Sequence, residues 1–270
     1  MLPVRPFFSC FALGALAVST QAMAQQHLSF ITCPVAQDTG ERSDVCFFVM
    51  HNGVRYGVSL PIDWGNPQLG HKLLVEGAVN ERAQECGGVR IEGRASVMPE
   101  LSLECNEIAP ATPEILALEL GRRPGITQEQ RARIAADPSS SLQVMRLRAL
   151  PVPEVALGRT ETIYFAFERD RATAPDAMVL LELARLAEAT SGVQITVRAS
   201  RGATLLDNGD ILTERPEIAE QRGEKLVGIL VGLGAPLGSI SVETFDASAN
   251  PDGEEDWLSR RAELTVSAPS

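Results

Sequence analysis

Short stretches in which apolar and polar residues alternate fill the first third of the chain after residue 26, and no helical period interrupts them. This alternation predicts strands at 28–31, 45–50, 54–58, 74–79 and 89–93. Asn52-Gly53 falls between two of these runs and is a strong signal for a tight β-hairpin. Gly77 and Gly93 lie inside predicted strands and indicate bends or bulges. We therefore expect a small all-β domain over residues 25–108, either barrel-like or a curled sheet.

The last hundred residues alternate between strand and helix patterns. The periodicity predicts strands at 163–167, 193–197, 239–245 and 262–266, and helices at 175–190 and 218–233. Pro175 suits the start of the first helix, and Gly234 suits the end of the second. The resulting order is βαβαββ, in which crossover helices cover one face of a small mixed sheet. The fold class expected for the whole chain is α+β.

Residues 109–160 have a different character, because prolines recur through them and no long period is present. Short helices are predicted at 112–120 and 127–136, the second opened by Thr127 with Gln130 at its third helical position. We interpret this stretch as a Pro-rich linker with short helices.

Residues 1–24 have the pattern of a secretory signal peptide. Arg5 precedes an apolar run at 7–18, and Ala22-Met23-Ala24 forms a cleavage site of small residues. The apolar run is shorter than the roughly 20 residues that cross a bilayer, which argues against a retained anchor. We expect cleavage after Ala24, export to the periplasm and no transmembrane segment in the mature chain.

Four cysteines remain after the expected cleavage, which also removes Cys10. They are Cys33, Cys46, Cys86 and Cys105. An even number of cysteines in an exported chain predicts disulfides. Three pairings are possible, and we prefer the one between sequence neighbours, Cys33–Cys46 with Cys86–Cys105. The spacings contain no C-x₂₋₄-C pair, so we expect no metal site.

The charge balance and the missing catalytic motifs exclude several function classes. The chain has 24 Lys+Arg against 35 Asp+Glu, a net charge of −11, so we expect no nucleic-acid partner. The three histidines, His27, His51 and His71, all lie in the β-rich part, and no G-x-S-x-G, H-E-x-x-H, P-loop or Rossmann fingerprint is present at a strand–helix junction. We therefore expect no enzyme activity and no cofactor.

Six short motifs follow one another in the last hundred residues. They are FAF at 165–167, APD at 174–176, VQITV at 193–197, IAEQRG at 218–223, LGA at 233–235 and SRRAEL at 259–264. Their order and spacing resemble the OmpA-like domain family, the module by which many envelope proteins hold the cell wall. In that family IAEQRG corresponds to LSxxRA, and SRRAEL to the terminal NRRVE. The resemblance covers residues 160–267, and we assign the OmpA-like domain to 161–267.

The resemblance implies a site for the diaminopimelate-type stem peptide of peptidoglycan, whose ammonium and carboxylate lie close together. Arg222 matches the arginine that holds the carboxylate, and Arg260 and Arg261 match the terminal pair, one of which faces the binding groove in such domains. The family's acid for the ammonium falls on Gly202 when counted from the strand. Counted back from Arg222 it falls on Asp207, so the loop is remodelled and Asp207 is the candidate acid.

Each of these site residues also has a structural interpretation. Arg222 could be a solvated helix arginine, Asp207 a turn residue, and Arg260 and Arg261 members of local charge pairs with the acids at 252–256. The interpretation as a wall-binding site requires an acid within salt-bridge reach of the pocket that Arg222 faces. The structural interpretation of Arg222 and Asp207 requires no such acid.

Two functions therefore stay open. In the first, the protein is an exported cell-envelope protein that binds peptidoglycan non-covalently through its OmpA-like domain. In the second, the OmpA-like scaffold has lost its wall site and acts as a periplasmic protein–protein interaction module. In either case the N-terminal domain could contact another envelope protein, and any association with the outer membrane would be made through a partner.

Overall fold

The computed structural model describes residues 26–40, 46–59, 67–117 and 158–268. The expected signal peptide at 1–24 and the expected helix at 127–136 lie outside these ranges. Within them the chain is mixed α/β and forms an N-terminal sheet, up to residue 109, and a C-terminal unit, from residue 158. None of the described helices combines the length and the apolar character needed to cross a membrane.

The N-terminal sheet contains all five strands predicted from alternation, together with two short strands that were not predicted. Its described strands are β1 (His27–Thr32), β2 (Pro34–Gln37), β3 (Cys46–His51), β4 (Val54–Ser59), β5 (His71–Glu85), β6 (Gly88–Leu101) and β7 (Ile108–Ala109). Their spatial order is β1-β5-β6-β4-β3-β2-β7. Neighbours run antiparallel except β4 with β6 and β2 with β7, which run parallel. A short helix, α1 (Pro113–Ala117), follows within the predicted 112–120 segment.

This sheet curls without closing into a barrel. Phe30 of β1 stacks on His51 of β3 with ring centroids 3.9 Å apart, although β1 and β3 are not neighbours in the sheet. Among the described strands no hydrogen-bonded ladder joins β1 to β3 or to β7, so the curled sheet is present and the closed barrel is not. The curl encloses buried apolar side chains such as Leu28, Val49, Val75 and Ile91.

The turns and glycines of the sheet explain its local geometry. Asn52 and Gly53 form the predicted hairpin turn between β3 and β4, with φ angles of +49° and +77°. Gly77 and Gly93 lie opposite each other on β5 and β6. A Cβ on Gly93 would lie 2.0 Å from the carbonyl oxygen of Glu76, so glycine is needed for a close approach of the two backbones.

The disulfides join cysteines that are distant in sequence. Cys33 bonds Cys105, and Cys46 bonds Cys86. The preferred pairing of sequence neighbours is therefore wrong. The physical reason is the strand order, because the segment after β6 returns to place β7 beside β2, which brings Cys105 next to Cys33. Sequence proximity does not decide which cysteines meet when the strands of a sheet are paired out of chain order.

The C-terminal unit has the predicted alternation of strands and helices, with one extra hairpin and with its first strand at Thr160–Tyr164 instead of the predicted 163–167. Its elements are β8 (Thr160–Tyr164), α2 (Ala174–Ala189), β9 (Gln194–Arg201), β10 (Ala203–Leu205), β11 (Ile211–Thr213), α3 (Ile218–Gly232), β12 (Ile240–Asp246) and β13 (Arg261–Ser267). Four strands form a sheet in the order β12-β9-β13-β8, with β12 parallel to β9. The strands β10 and β11 form a separate two-stranded hairpin.

The core of this unit lies between the four-stranded sheet and its two helices. Leu180 and Leu183 of α2 and Leu226 and Leu230 of α3 pack with the inward side chains of the strands in one buried cluster. Gly234, with φ +112°, follows the last turn of α3 and ends the helix where the sequence predicts.

Candidate functional site

Arg222 lies in the second turn of α3 and points into the protein, where it is 0% exposed. Its guanidinium forms a two-pronged ion pair with Glu214, with Nη1 at 2.8 Å from Oε2 and Nη2 at 2.5 Å from Oε1. Its other N–H groups donate to the carbonyl oxygens of Ser200, Ala166 and Arg169. All five N–H donors that an arginine carries therefore have partners within the chain.

Both carboxylate oxygens of Glu214 also have hydrogen-bond partners within the chain. It sits between β11 and α3, is also 0% exposed at its side chain, and accepts the backbone N–H of Glu168 at 2.8 Å in addition to Arg222. Its Oε2 accepts the backbone N–H of Gly202 at 2.9 Å. A buried carboxylate with this number of donors is well compensated for the loss of water.

Gly202 occupies the position where the resemblance expects the ammonium-binding acid, as counted from the strand. A Cβ at Gly202 would lie 2.1 Å from Oγ of Ser259, so the local packing leaves no room for an aspartate. The backbone N–H of Gly202 instead holds the carboxylate of Glu214. Glu214 thus places a carboxylate on the very guanidinium that the sequence predicts to bind a carboxylate from outside.

Arg260 is the second buried arginine of the C-terminal unit, at 0% exposure. Its guanidinium forms an ion pair with both carboxylate oxygens of Glu76, which belongs to β5 of the N-terminal sheet and is 2% exposed. Nη1 also donates to the hydroxyl oxygen of Thr204 at 2.8 Å, and Thr204 in turn donates to Glu76. Arg260 therefore joins the two parts of the molecule.

Asp207 also contacts the N-terminal sheet. Its Oδ1 accepts the backbone N–H of Ser29 at 2.9 Å, while the backbone N–H of Asp207 donates to the carbonyl oxygen of Ser29 at 2.8 Å. Its Oδ2 lies 3.0 Å from Nε2 of His51. The same carboxylate contributes, together with burial, to raising the pKa of the Tyr56 hydroxyl. Asp207 shares no partner with Arg222.

Arg261 keeps part of its side chain in solvent, as Asp207 does. Its Nε lies 2.9 Å from Oε1 of Glu263 and its Nη1 donates to the carbonyl oxygen of Leu258 at 3.0 Å. Both partners are within three residues in the sequence, so the pairing is local, but its acid is Glu263 and not one of the acids at 252–256.

Further contacts run between the N-terminal sheet and the C-terminal unit. The backbone N–H of Phe167 donates to Oγ of Ser96 at 2.9 Å, and Nη2 of Arg169 donates to the carbonyl oxygen of Val97 at 3.3 Å. The guanidinium carbon of Arg94 lies 4.6 Å from the ring centroid of Trp257. Buried polar contacts of this kind fix the orientation of one part on the other.

The sequence interpretation did not include Glu214 or Glu76, although these two residues supply the carboxylates that pair with Arg222 and Arg260. Glu76 carried a usable signal, because it is a single acid inside the apolar run of β5. Glu214 carried none of comparable strength, since it lies outside any motif of the resemblance and its partner is identified only by the fold.

Metal binding finds little support in the described ranges. Cys33, Glu104 and Cys105 place ligand-type atoms close together, but the two sulfur atoms are bonded to each other and offer no thiolate. The histidines have protein contacts: His51 with Asp207, and His71 through Nδ1 with the carbonyl oxygen of Met98 at 2.9 Å.

Comparison with known proteins gives structural similarities but no family. No family model and no curated protein matches the chain. The periplasmic domain of Helicobacter pylori MotB is similar at 16% identity, with 43% of this chain and 80% of that chain covered and a TM-score of 0.33. The peptidoglycan-associated lipoprotein from Burkholderia pseudomallei is similar at 18% identity, with 39% and 88% covered and a TM-score of 0.32.

The OmpA-like domain of FopA1 from Francisella tularensis is similar at 10% identity, with 41% of this chain and 73% of that chain covered and a TM-score of 0.31. At such identities and TM-scores these similarities carry no argument about what the present chain binds. Its own contacts have to carry that argument.

Proposed function

We propose that the protein is an exported, non-catalytic scaffold of the cell envelope that works through protein–protein contacts. In this proposal the C-terminal unit is an OmpA-like scaffold whose wall site is filled by the chain itself. The observation that carries the proposal is the ion pair between Arg222 and Glu214, in which every donor of the guanidinium is used.

The energetics of that pair favour a structural role for Arg222. A stem-peptide carboxylate could reach the guanidinium only after Glu214 had left it, and Glu214 would then lose its strongest partner. Separating a buried ion pair costs about 3–5 kcal/mol when one charge is left uncompensated. An external carboxylate would have to supply that free energy before any net binding began, which makes uptake at Arg222 unfavourable.

Export is supported by the two disulfides. Disulfides persist in oxidising compartments such as the periplasm and are rare in a reducing cytosol. The signal peptide expected at residues 1–24 provides the route in this proposal. The net charge of −11 also disfavours direct contact with an anionic membrane surface, so a protein partner is the more favourable contact.

Co-sedimentation with purified sacculi tests the proposal. The mature chain, beginning at Gln25, is mixed with sacculi of the diaminopimelate type and compared with an established wall-binding domain as a positive control. We expect the chain to stay in the supernatant over the range of protein concentrations at which the control saturates the pellet.

Saturable retention of the chain in the pellet would contradict this proposal and favour the peptidoglycan-binding function instead. Competition by free diaminopimelate, together with loss of retention in Arg222→Lys, would then locate that binding at the arginine. The lysine keeps the charge but cannot make the two-pronged contact.

A further inference from the structure

The outer edge of the four-stranded sheet carries an open groove. It lies between α3 and the edge strand β12, has a volume of about 870 Å³, and has a floor made of apolar and small residues. The floor residues are Ala219, Val227, Gly228, Val231, Leu237 and Val242. Val242 and Leu237 are 42% and 66% exposed, so the floor presents apolar surface to solvent.

No contact within the described part of the chain requires glycine at position 228. Glycine is the least favourable residue other than proline in the interior of a helix, and Gly228 lies well inside α3. At Gly223 in the same helix the close packing against β12 does require glycine, because a Cβ there would lie 2.6 Å from Cγ1 of Val242. A Cβ at Gly228 would meet nothing within 4 Å. The space above Gly228 is therefore available to a group from outside.

The edge strand beside this groove is able to pair. Ser241, Val242, Glu243 and Thr244 are all exposed, and no described strand lies on the outer side of β12. Natural edge strands are often protected by lysine, proline or a bulge, and the sequence of β12, ISVETFD, contains neither of these residues. Its backbone N–H and C=O groups can therefore form a ladder with an added strand.

The charge at the groove selects the partner. Glu220 and Glu224 line it one helical turn apart, and neither carboxylate forms an ion pair with a residue of the described ranges. Like charges at this spacing disfavour a helix, and a cation from a partner would reverse that effect. A second copy of the chain would bring the same acids together and add a net charge of −11, which disfavours self-association at this surface.

We propose that the groove between α3 and β12 binds an extended segment of another protein, in which every second side chain faces the groove and these groove-facing side chains are apolar and basic in turn. The segment adds a strand to the edge of β12, places its apolar side chains over Gly228 and Val242, and directs its basic side chains towards Glu220 and Glu224. This inference rests on the proposed function, because it names the surface and the partner class of the interaction module.

A labelled synthetic peptide of about eight residues, with valine and arginine in turn at every second position and threonine at the positions between, tests the inference by fluorescence anisotropy with the mature chain. We expect saturable binding that weakens with added salt, since ion pairs at a surface are screened. The same peptide with glutamate in place of arginine, and a version N-methylated along one edge, should each bind at least about tenfold more weakly.

Variants of the protein locate the binding. Gly228→Trp fills the groove and should weaken binding about tenfold or more, whereas Gly232→Trp, which also meets open space but lies outside the groove lining, should not. The double variant Glu220→Gln with Glu224→Gln should lose the salt dependence, while Glu188→Gln on α2 should keep it. Circular dichroism confirms that each variant is folded.

Several outcomes would overturn the inference. These are equal binding of the glutamate or N-methylated peptide, equal binding by Gly228→Trp, and self-association of the chain that Gly228→Trp abolishes. The co-sedimentation experiment with sacculi tests the proposed function independently of the peptide. Retention of the chain on the wall contradicts the proposed function whether or not the peptide binds. Absence of peptide binding without wall retention contradicts only the partner assigned to this groove.

Discussion

Two buried arginines of the C-terminal unit take their carboxylates from different parts of the chain. Arg222 pairs with Glu214, eight residues earlier and inside the same unit, whereas Arg260 pairs with Glu76, 184 residues earlier and in the N-terminal sheet. Ser200 connects the two regions, because its carbonyl oxygen accepts from Arg222 and its hydroxyl lies within hydrogen-bond distance of the carbonyl oxygens of Ser259 and Arg261.

The comparison shows that one kind of interaction serves two purposes. The pair at Arg222 joins separate segments of one unit, and the pair at Arg260 fixes one part of the molecule on the other. A buried ion pair contributes little net stability but is costly to break, so both pairs act mainly by excluding other arrangements. Variants that break one pair at a time should therefore produce different losses.

The largest loss is expected for Arg222→Ala. It leaves the carboxylate of Glu214 buried without its partner and should lower the free energy of unfolding by about 3–5 kcal/mol, as measured by urea denaturation. The double variant Arg222→Met with Glu214→Gln should recover part of that loss, because no buried charge remains and the amide oxygen can still accept a backbone N–H group. An equal loss in the double variant would contradict the role given to the pair. Arg198→Ala, an exposed arginine 3.3 Å from Glu243, is the matched control and should change stability by less than about 1 kcal/mol.

Glu76→Ala should come next, because it leaves Arg260 buried at the contact between the two parts. We expect a loss of about 2–4 kcal/mol and a separation of the parts rather than unfolding of either. Hydrogen exchange should accelerate at the backbone N–H groups of Ser29 and Phe167, which donate across the contact. The N–H of Gly202, which donates to Glu214, should stay protected. Faster exchange at Gly202 as well would mean that the two ion pairs are not independent.

Asp207→Ala should have a smaller effect at the same contact. It removes one acceptor for the N–H of Ser29 and the partner of His51 but keeps the backbone bond to Ser29, so a loss of about 1 kcal/mol is expected. The pKa of Tyr56 should fall towards its ordinary value in this variant, because Asp207 is one of the groups that raise it. An unchanged tyrosine titration would contradict the placement of Asp207 beside the sheet.

The smallest effect is expected at an exposed pair. The hydrogen bond from Arg201 lowers the pKa of the Asp246 carboxyl below its usual range, although half of this side chain is in solvent. A lowered pKa in the folded state gives stability that is present above the unfolded pKa of about 3.9 and is lost as the pH falls further. Asp246→Asn should therefore cost no more than about 0.5 kcal/mol at neutral pH and nothing in strong acid. A loss that persists in acid would have to come from another contact.

The elements of the C-terminal unit could be predicted because their signals are local. The apolar period of α3 and the stop at Gly234 lie within one stretch of sequence, and the structure places both where they are expected. The disulfides could not be paired in this way, because the partner of Cys33 depends on which strands become neighbours after β6. Local patterns identify elements, while the pairing of distant elements depends on the whole sheet.

The same distinction between local signals and distant pairing applies to the candidate site. Arg222 was identified from a motif, and its position near the start of a helix was correct. Its burial was not predictable, because it depends on Glu214, which no motif marks, and on the carbonyl groups of three separate segments. Arg260 was likewise identified, but its partner Glu76 lies in the other part of the molecule and could be found only from the fold.

The two disulfides are nested, since the bond from Cys33 to Cys105 encloses the bond from Cys46 to Cys86. A protease cut at any peptide bond between Cys46 and Cys86 would thus leave two fragments held together by both covalent links. Strands β1 and β2 would stay tethered to strand β6 after such a cut. In a compartment rich in proteases, the N-terminal sheet can therefore lose the continuity of its backbone there without falling apart.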